Sequence, residues 1–243
     1  MTDLLTWTPR PTPGLSTLEG RLVRLEPFDP ATHASGLFDA VGGEANAALW
    51  HWMPVGPFPT PAAISDFLAA EHAAQHWNTL VIRAASSGPS SGGPSSGGQG
   101  SGRQGSGGEV LGMATYMRIR EAQGSAEIGC VAFGPRLKRT PEATEALTLM
   151  AAHVFDLGYR RYEWKCNDAN LASKRAAVRF GFIFEGVFRN DMVMKGRSRD
   201  TAWYSIIDTE WPRLQAALDQ WLAPANFAAD GAQRRTLESF RST

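Results

Sequence analysis

The 243 residues leave room for one large domain or two small ones, and 24 Lys+Arg balance 24 Asp+Glu. A 43% hydrophobic share excludes wholesale disorder, and zero net charge removes the basic bias of nucleic-acid and membrane-surface proteins. No apolar run nears the roughly 18 residues of a membrane span, the opening lacks a secretory signal pattern, and Cys130 and Cys166 form neither a disulfide framework nor a CxxC metal spacing, so the expectation is a reduced, cytoplasmic protein.

In chain order, residues 1–14 are Pro-rich and expected to be a flexible N-terminal segment. A strand is predicted over Gly20–Leu25. An aromatic stripe, Trp50-His51-Trp52-Met53-Pro54, follows. Thr60-Pro61 opens a helix, Thr as N-cap and Pro at the first helical position, with Ile64, Phe67 and Leu68 on its apolar face. His72 and His76 on that helix are four apart, a spacing that suits a metal. With no HExxH signature and no nearby cysteine, an exposed pair and no metal are expected.

Strands are then predicted over Asn78–Arg83 and Glu109–Met117. Between them residues 86–108 hold 10 Gly and 8 Ser in 23 positions and no apolar side chain, the composition of a flexible coil. Such a coil either joins two domains or enlarges a hairpin turn. Opening a two-residue turn to this length costs about 2 kcal/mol of closure entropy, which a folded domain absorbs. The first 85 residues carry too few strand and helix signals for a core of their own, which favours the loop.

Ser125–Phe133 reads as a strand, followed by the basic turn Arg136-Leu137-Lys138-Arg139. Thr140-Pro141-Glu142 opens the strongest helix, with Ala143, Leu147, Met150, Ala151 and Val154 at 3.6-residue periodicity and Gly158 as its stop. A strand over Tyr159–Cys166, a helix from Leu171 ended by Gly181, and a hairpin of Phe184–Arg189 with Thr201–Ile207 complete the centre. Trp211, Leu214, Leu218 and Trp221 mark a closing amphipathic helix, and 226–243 are expected to be a polar C-terminal tail. Strand–helix–strand–helix flanked by antiparallel strands predicts a mixed α/β sheet, α+β in class. Residues 15–225 are expected to form one domain.

A helix N-terminus offers unpaired N–H groups to an anion, and basic residues stand just before the one at Thr140. Taken alone, both that turn and the basic helix Leu171–Phe180 read rather as ordinary surface. Together they carry a resemblance. Glu127-Ile128-Gly129, then Ala143-Thr144-Glu145-Ala146, then Asn170, Ser173, Gly181 and Phe182 resemble, in order and spacing, the GNAT superfamily of acyl-CoA N-acyltransferases, over roughly Leu18–Ile207. The closer likeness is to the RimJ/RimL-type branch, which includes ribosomal-protein alanine N-acetyltransferases.

The resemblance implies a mostly antiparallel sheet splayed between the family's fourth and fifth strands, with helices on both faces. Acetyl-CoA is then the acyl donor, its pantetheine along Val131 and Phe133 and its pyrophosphate on Lys138, Arg139, Thr140, Glu142, Ala143 and Thr144. Asn170 and Arg175 would flank it. Glu127 is implied as general base, against a solvent-facing strand carboxylate. Ser173 is implied as thiol-side acid, against a capping or pantetheine-contacting serine. Trp50, His51 and Trp52 fall where the family builds its acceptor wall, against an aromatic stripe of the core.

Two departures stand out. Pro141 takes the place of the central glycine of the family's phosphate loop and removes one N–H. Ala177 stands where many members carry a general-acid tyrosine. The resemblance implies transfer of an acetyl group to a primary amine, of a peptide N-terminus or a small molecule, by direct attack on the thioester. The alternative is a catalytically silent acyl-CoA-binding or interaction module. No nucleic-acid or membrane partner is expected, and monomer and homodimer stay open.

Overall fold

The computed structural model describes residues 4–85 and 108–241. The Gly/Ser segment, apart from Gly108, lies outside the described residues, as do residues 1–3 and 242–243. One eight-stranded sheet organises the chain: β1 (Leu18–Glu19), β2 (Val23–Pro27), β3 (Asn78–Ala84), β4 (Val110–Arg120), β5 (Ser125–Phe133), β6 (Arg161–Asn167), β7 (Ile183–Met194) and β8 (Arg197–Ile207). Their spatial order is β1-β2-β3-β4-β5-β6-β8-β7. Every pair is antiparallel except β5 with β6. A parallel pair needs a crossover, and the long helix Pro141–Asp156 supplies it. This is the mixed sheet expected from the sequence, with helices on both faces.

The helices are α1 (Pro30–Val41), α2 (Pro61–Gln75), α3 (Pro141–Asp156), α4 (Leu171–Arg179), α5 (Trp211–Leu222) and α6 (Leu237–Arg241). α3 begins where Thr140 is extended and its Oγ1 accepts the Ala143 N–H at 3.2 Å. It ends at Gly158, whose φ of +84° a side chain would strain. Its buried face, including Ala146, Leu147, Met150 and Val154, packs with α5 on the sheet face formed by Ala126, Ile128, Tyr162 and Trp164. Glu145 on α3 accepts the backbone N–H groups of Arg21, Leu22 and Val23 and so ties the helix to the β1–β2 turn. On the opposite face α1 and α2 set Leu37, Val41, Ile64 and Leu68 against Val81, Met113 and Ala132.

β3 and β4 are hydrogen-bonded neighbours as far as Ala84 N–H to Glu109 O at 2.9 Å, so residues 86–107 leave and return at adjacent points of the sheet. Both termini differ from the tails the sequence led us to expect. At the start, the Trp7 indole donates to Ala122 O, Asn78 donates to Pro13 O, and Gly14 N–H reaches His153, itself beside Tyr116. At the end, Asn226 bonds the backbone of Trp221 and Arg235, and Leu237 of α6 is 1% exposed. Single apolar anchors and side-chain-to-backbone bonds hold both segments, and neither leaves a periodic trace in sequence.

Candidate active site

The β5–β6 ladder is short. It runs from Ser125 opposite Arg161 to Ile128 opposite Trp164, and beyond it Gly129–Phe133 keep only β4 as a partner. A β-bulge produces the divergence. Between Thr115–Gly129 and Met113–Ala132, three steps on β5 face two on β4, and Cys130 takes a φ of +46°. A bulge bends its strand and interrupts pairing. The β6-side backbone of Gly129–Phe133 therefore borders a cleft. Val131 and Phe133 lie there, their side chains turned into the α3 core.

Glu127 stands at the mouth of that cleft, on the face opposite α3. It is 1% exposed. Burial pushes its carboxyl up to about 7, against the pull of Lys165 and Arg118, while Glu163 across the ladder adds to the rise. Lys165 Nζ lies 3.2 Å from Oε2 and Arg118 Nε 3.6 Å. Gly129 makes the room: a Cβ there would sit 3.1 Å from Glu127 Oε1 and 2.3 Å from Met117 Sδ. Arg118 is held over the Trp203 ring, 4.8 Å from its centre. A carboxylate poised near neutrality, buried and next to an open backbone edge, is suited to take a proton.

The far wall of the cleft is the start of α4. Asn170 caps it, Oδ1 accepting Ser173 N–H at 3.1 Å. Trp164 Nε1 donates to Ser173 Oγ at 3.0 Å, and the hydroxyl contacts the Cys166 thiol, whose pKa burial raises. One lone pair of Ser173 is thus engaged while its O–H remains a donor. Lys174 pairs with Asp168, and Arg175 is exposed. Ala177, in the family's tyrosine place, is buried in the core and brings no hydroxyl.

At the α3 N-terminus, Lys138 and Arg139 are exposed, and Arg136 pairs with Glu109. Thr140 Oγ1 donates to Leu137 O and caps Ala143, so one first-turn amide is occupied. Pro141 has none. Glu142 contributes an N–H but also a negative charge. Thr144 Oγ1 accepts from Arg179, which stacks on Trp221. The α3 start therefore presents mainly cationic side chains, with Thr140 already capping one first-turn amide and Pro141 lacking one.

The three aromatic candidates separate. Trp50 is fully buried, its indole donating to Val41 O and its ring edge-on to Phe58, so it is core. His51 is exposed and stacks edge-on with Trp52 on the outer side of the same turn. The β7–β8 hairpin reaches this turn: Lys195 Nζ donates to Trp50 O at 2.9 Å and Gly56 O at 3.2 Å. The turn it clasps packs, through Trp50, on the sheet face opposite α3 with Met113 and Ala132. His72 Nδ1 bonds Trp77 O.

Sequence reading missed Arg118, Glu163, Lys165, Arg199, Thr201 and Trp203. Glu163 accepts from Arg120 and Arg161 beside Glu127. On β8, Arg199, Thr201, Trp203 and Ser205 alternate with Ala202, Tyr204 and Ile206. The latter three are core, so the former share the Glu127 face. That period-two pattern is visible in the sequence once the strand is extended back to Arg197.

The Acetyltransferase (GNAT) domain profile matches residues 23–183. A GCN5-related N-acetyltransferase from Brucella melitensis is 42% identical over 98% of this chain and 99% of its own, with a TM-score of 0.83. A probable GNAT-family acetyltransferase from Chromobacterium violaceum is 34% identical over 87% and 96%, with a TM-score of 0.73. The microcin C7 self-immunity acetyltransferase MccE, solved with acetyl-CoA and AMP, is 18% identical over 77% and 93%, with a TM-score of 0.58, a likeness of fold. A search of curated proteins gave no significant match. The splayed β5–β6 pair, the capped crossover helix and these matches agree: the chain belongs to the GNAT acetyltransferase family.

Proposed function

We propose that this enzyme acetylates a primary amine, of a small molecule or a polypeptide N-terminus, as a member of the RimJ/RimL-type branch, with Glu127 as general base and Ser173 as the donor on the sulfur side. The observation that carries this reading is Glu127, buried and pushed up to about 7 where β5 leaves β6. Acetyl-CoA supplies the acetyl group activated as a thioester. The open backbone edge around Val131 and Phe133 fits its amide-bearing arm, and Lys138 and Arg139 with the Thr140, Glu142, Ala143 and Thr144 turn fit its phosphates. Asn170 fixes the α4 start, and Arg175 adds a positive charge on that side.

On the opposite face Glu127 accepts the proton released as the amine attacks, directly or through water. An α-amine, with pKa about 7.7–8.0, is partly neutral at pH 7, whereas a lysine at about 10.4 needs more help. The environment of Glu127 suits the former. Ser173, its oxygen held by Trp164 and its hydroxyl against the Cys166 thiol, would turn its O–H from Cys166 to hydrogen-bond the departing thiolate. His51 and Trp52, on the turn that Lys195 clasps, are assigned to the acceptor side.

Thiol release from acetyl-CoA in the presence of a panel of primary amines tests this. Turnover with at least one amine is expected. Tight acetyl-CoA binding with no release against any amine would reject it.

A further inference from the structure

Beyond Glu127, the same sheet face carries buried polar atoms left without a hydrogen-bond partner. Among the described residues these are Arg199 Nε, Thr201 Oγ1 and Trp203 Nε1, whereas the buried carboxylates beside them are met by cations, Glu127 Oε2 by Lys165 Nζ at 3.2 Å. The three project at alternate positions of β8 and so to one side. Buried polar groups in native proteins are nearly always paired, and a cluster of exceptions marks a place where something else binds.

Arg199 is the sharpest case. It is 7% exposed, and its one hydrogen bond is a weak one from Nη1 to Met194 Sδ at 3.8 Å. The other charges on this face are compensated. Lys165 faces Glu127, and Glu163 is surrounded by Arg118, Arg120 and Arg161. Among the described residues Arg199 makes no ion pair, although Cys166, Asp191 and Glu127 act on it at longer range, and burial lowers its pKa. A guanidinium desolvated to this degree without an anion is costly to the fold. Met194 is itself buried, and its chain neighbour Lys195 is the residue that clasps the 50–56 turn.

We propose that Arg199, with the Thr201 hydroxyl and the Trp203 indole, holds a carboxylate of the acceptor, so that the enzyme's substrates are small amines that also carry a carboxylate. The inference rests on the acetyl-transfer reading and deepens it. One guanidinium, one hydroxyl and one indole N–H supply donors matched to a carboxylate, a single negative charge with two oxygens. The amine end of such a molecule then points toward Glu127, and the positive Arg118 and Lys165 select the neutral amine over the ammonium.

The test pairs each carboxylated amine with its decarboxylated twin: glycine with methylamine, β-alanine with ethylamine, L-phenylalanine with phenethylamine. Aminomethylphosphonate is the phosphate-like arm. Binding to the full chain saturated with coenzyme A is measured by calorimetry, and turnover separately by thiol release. At least one carboxylated member should bind more than tenfold tighter than its twin. Arg199→Gln should collapse that preference to within about threefold, Arg199→Lys should restore part of it, and Thr201→Val, a smaller perturbation of the fold, should reduce it severalfold.

Equal binding of the twins, no binding by any carboxylated amine, a loss in Arg199→Gln shared equally by both twins, or a stronger response to the phosphonate would each overturn the carboxylate site. Arg199-dependent carboxylate binding with no thiol release would leave the subsite standing and reject acetyl transfer. Turnover without preference would do the reverse.

Discussion

Glu127 is held against its own solvation. A carboxyl raised to about 7 ionises first in the unfolded chain, so between about pH 4.5 and 7 the fold loses stability relative to a variant with no charge there. On that sign Glu127→Gln should gain on the wild type by about 2.5 kcal/mol between pH 5 and pH 8, read by urea unfolding; a constant difference would mean the group is not desolvated as described. Lys165 limits the rise. Lys165→Met should move the kinetic pKa of kcat/KM upward from about 7, and Lys165→Arg should bring it back; an unmoved pKa would separate Lys165 from Glu127. Glu127 was singled out only through the resemblance that Glu127-Ile128-Gly129 carries, while its burial was not read from the sequence. Its companions were not singled out, because Arg118 and Lys165 come from two other strands, and period-two alternation gives a side without saying which side is the site.

At the scale of elements, the helices with caps were readable: Thr60-Pro61 and Thr140-Pro141 start α2 and α3. α1 escaped notice because its buried face is only His33, Leu37 and Val41, with His33 satisfied by Glu26 and the Asp29 N–H. The cleft was legible only as an expectation of the fold, since the bulge at Cys130 that opens it has no turn residue to announce it. Pro141 tests the proposed placement of the coenzyme phosphates. Pro141→Gly restores a first-turn N–H, and a hydrogen bond to a charged group contributes about 1.5–3 kcal/mol, so calorimetry should show coenzyme A bound about tenfold tighter. An unchanged Kd would remove this turn from the phosphate site. Glu145 is structural: Glu145→Ala strands three backbone N–H groups and should cost about 3 kcal/mol, lowering Tm by about 10 °C.

Across the whole molecule, the zero net charge is an average. Residues 136–199 carry 13 Lys+Arg against 7 Asp+Glu, and the remainder carries 11 against 17. The basic part holds the α3 turn, α4 and Arg199; the acidic remainder includes Glu127. A polyanionic donor and an anionic acceptor both fit that division. The Gly/Ser segment joins strands that are already neighbours, so replacing residues 88–106 with Asn-Gly should preserve the fold and raise its stability by about 1 kcal/mol, measured by thermal unfolding. Loss of folding would mean that the segment does more than close a turn.

The central claim is that Glu127 takes the proton from the attacking amine. The pH dependence of kcat/KM for thiol release, wild type against Glu127→Gln, addresses it directly. The expected result is an inflection near pH 7 in the wild type that is missing in the variant, with a drop of about 10²-fold at pH 8. An unchanged profile and rate in the variant would contradict the claim.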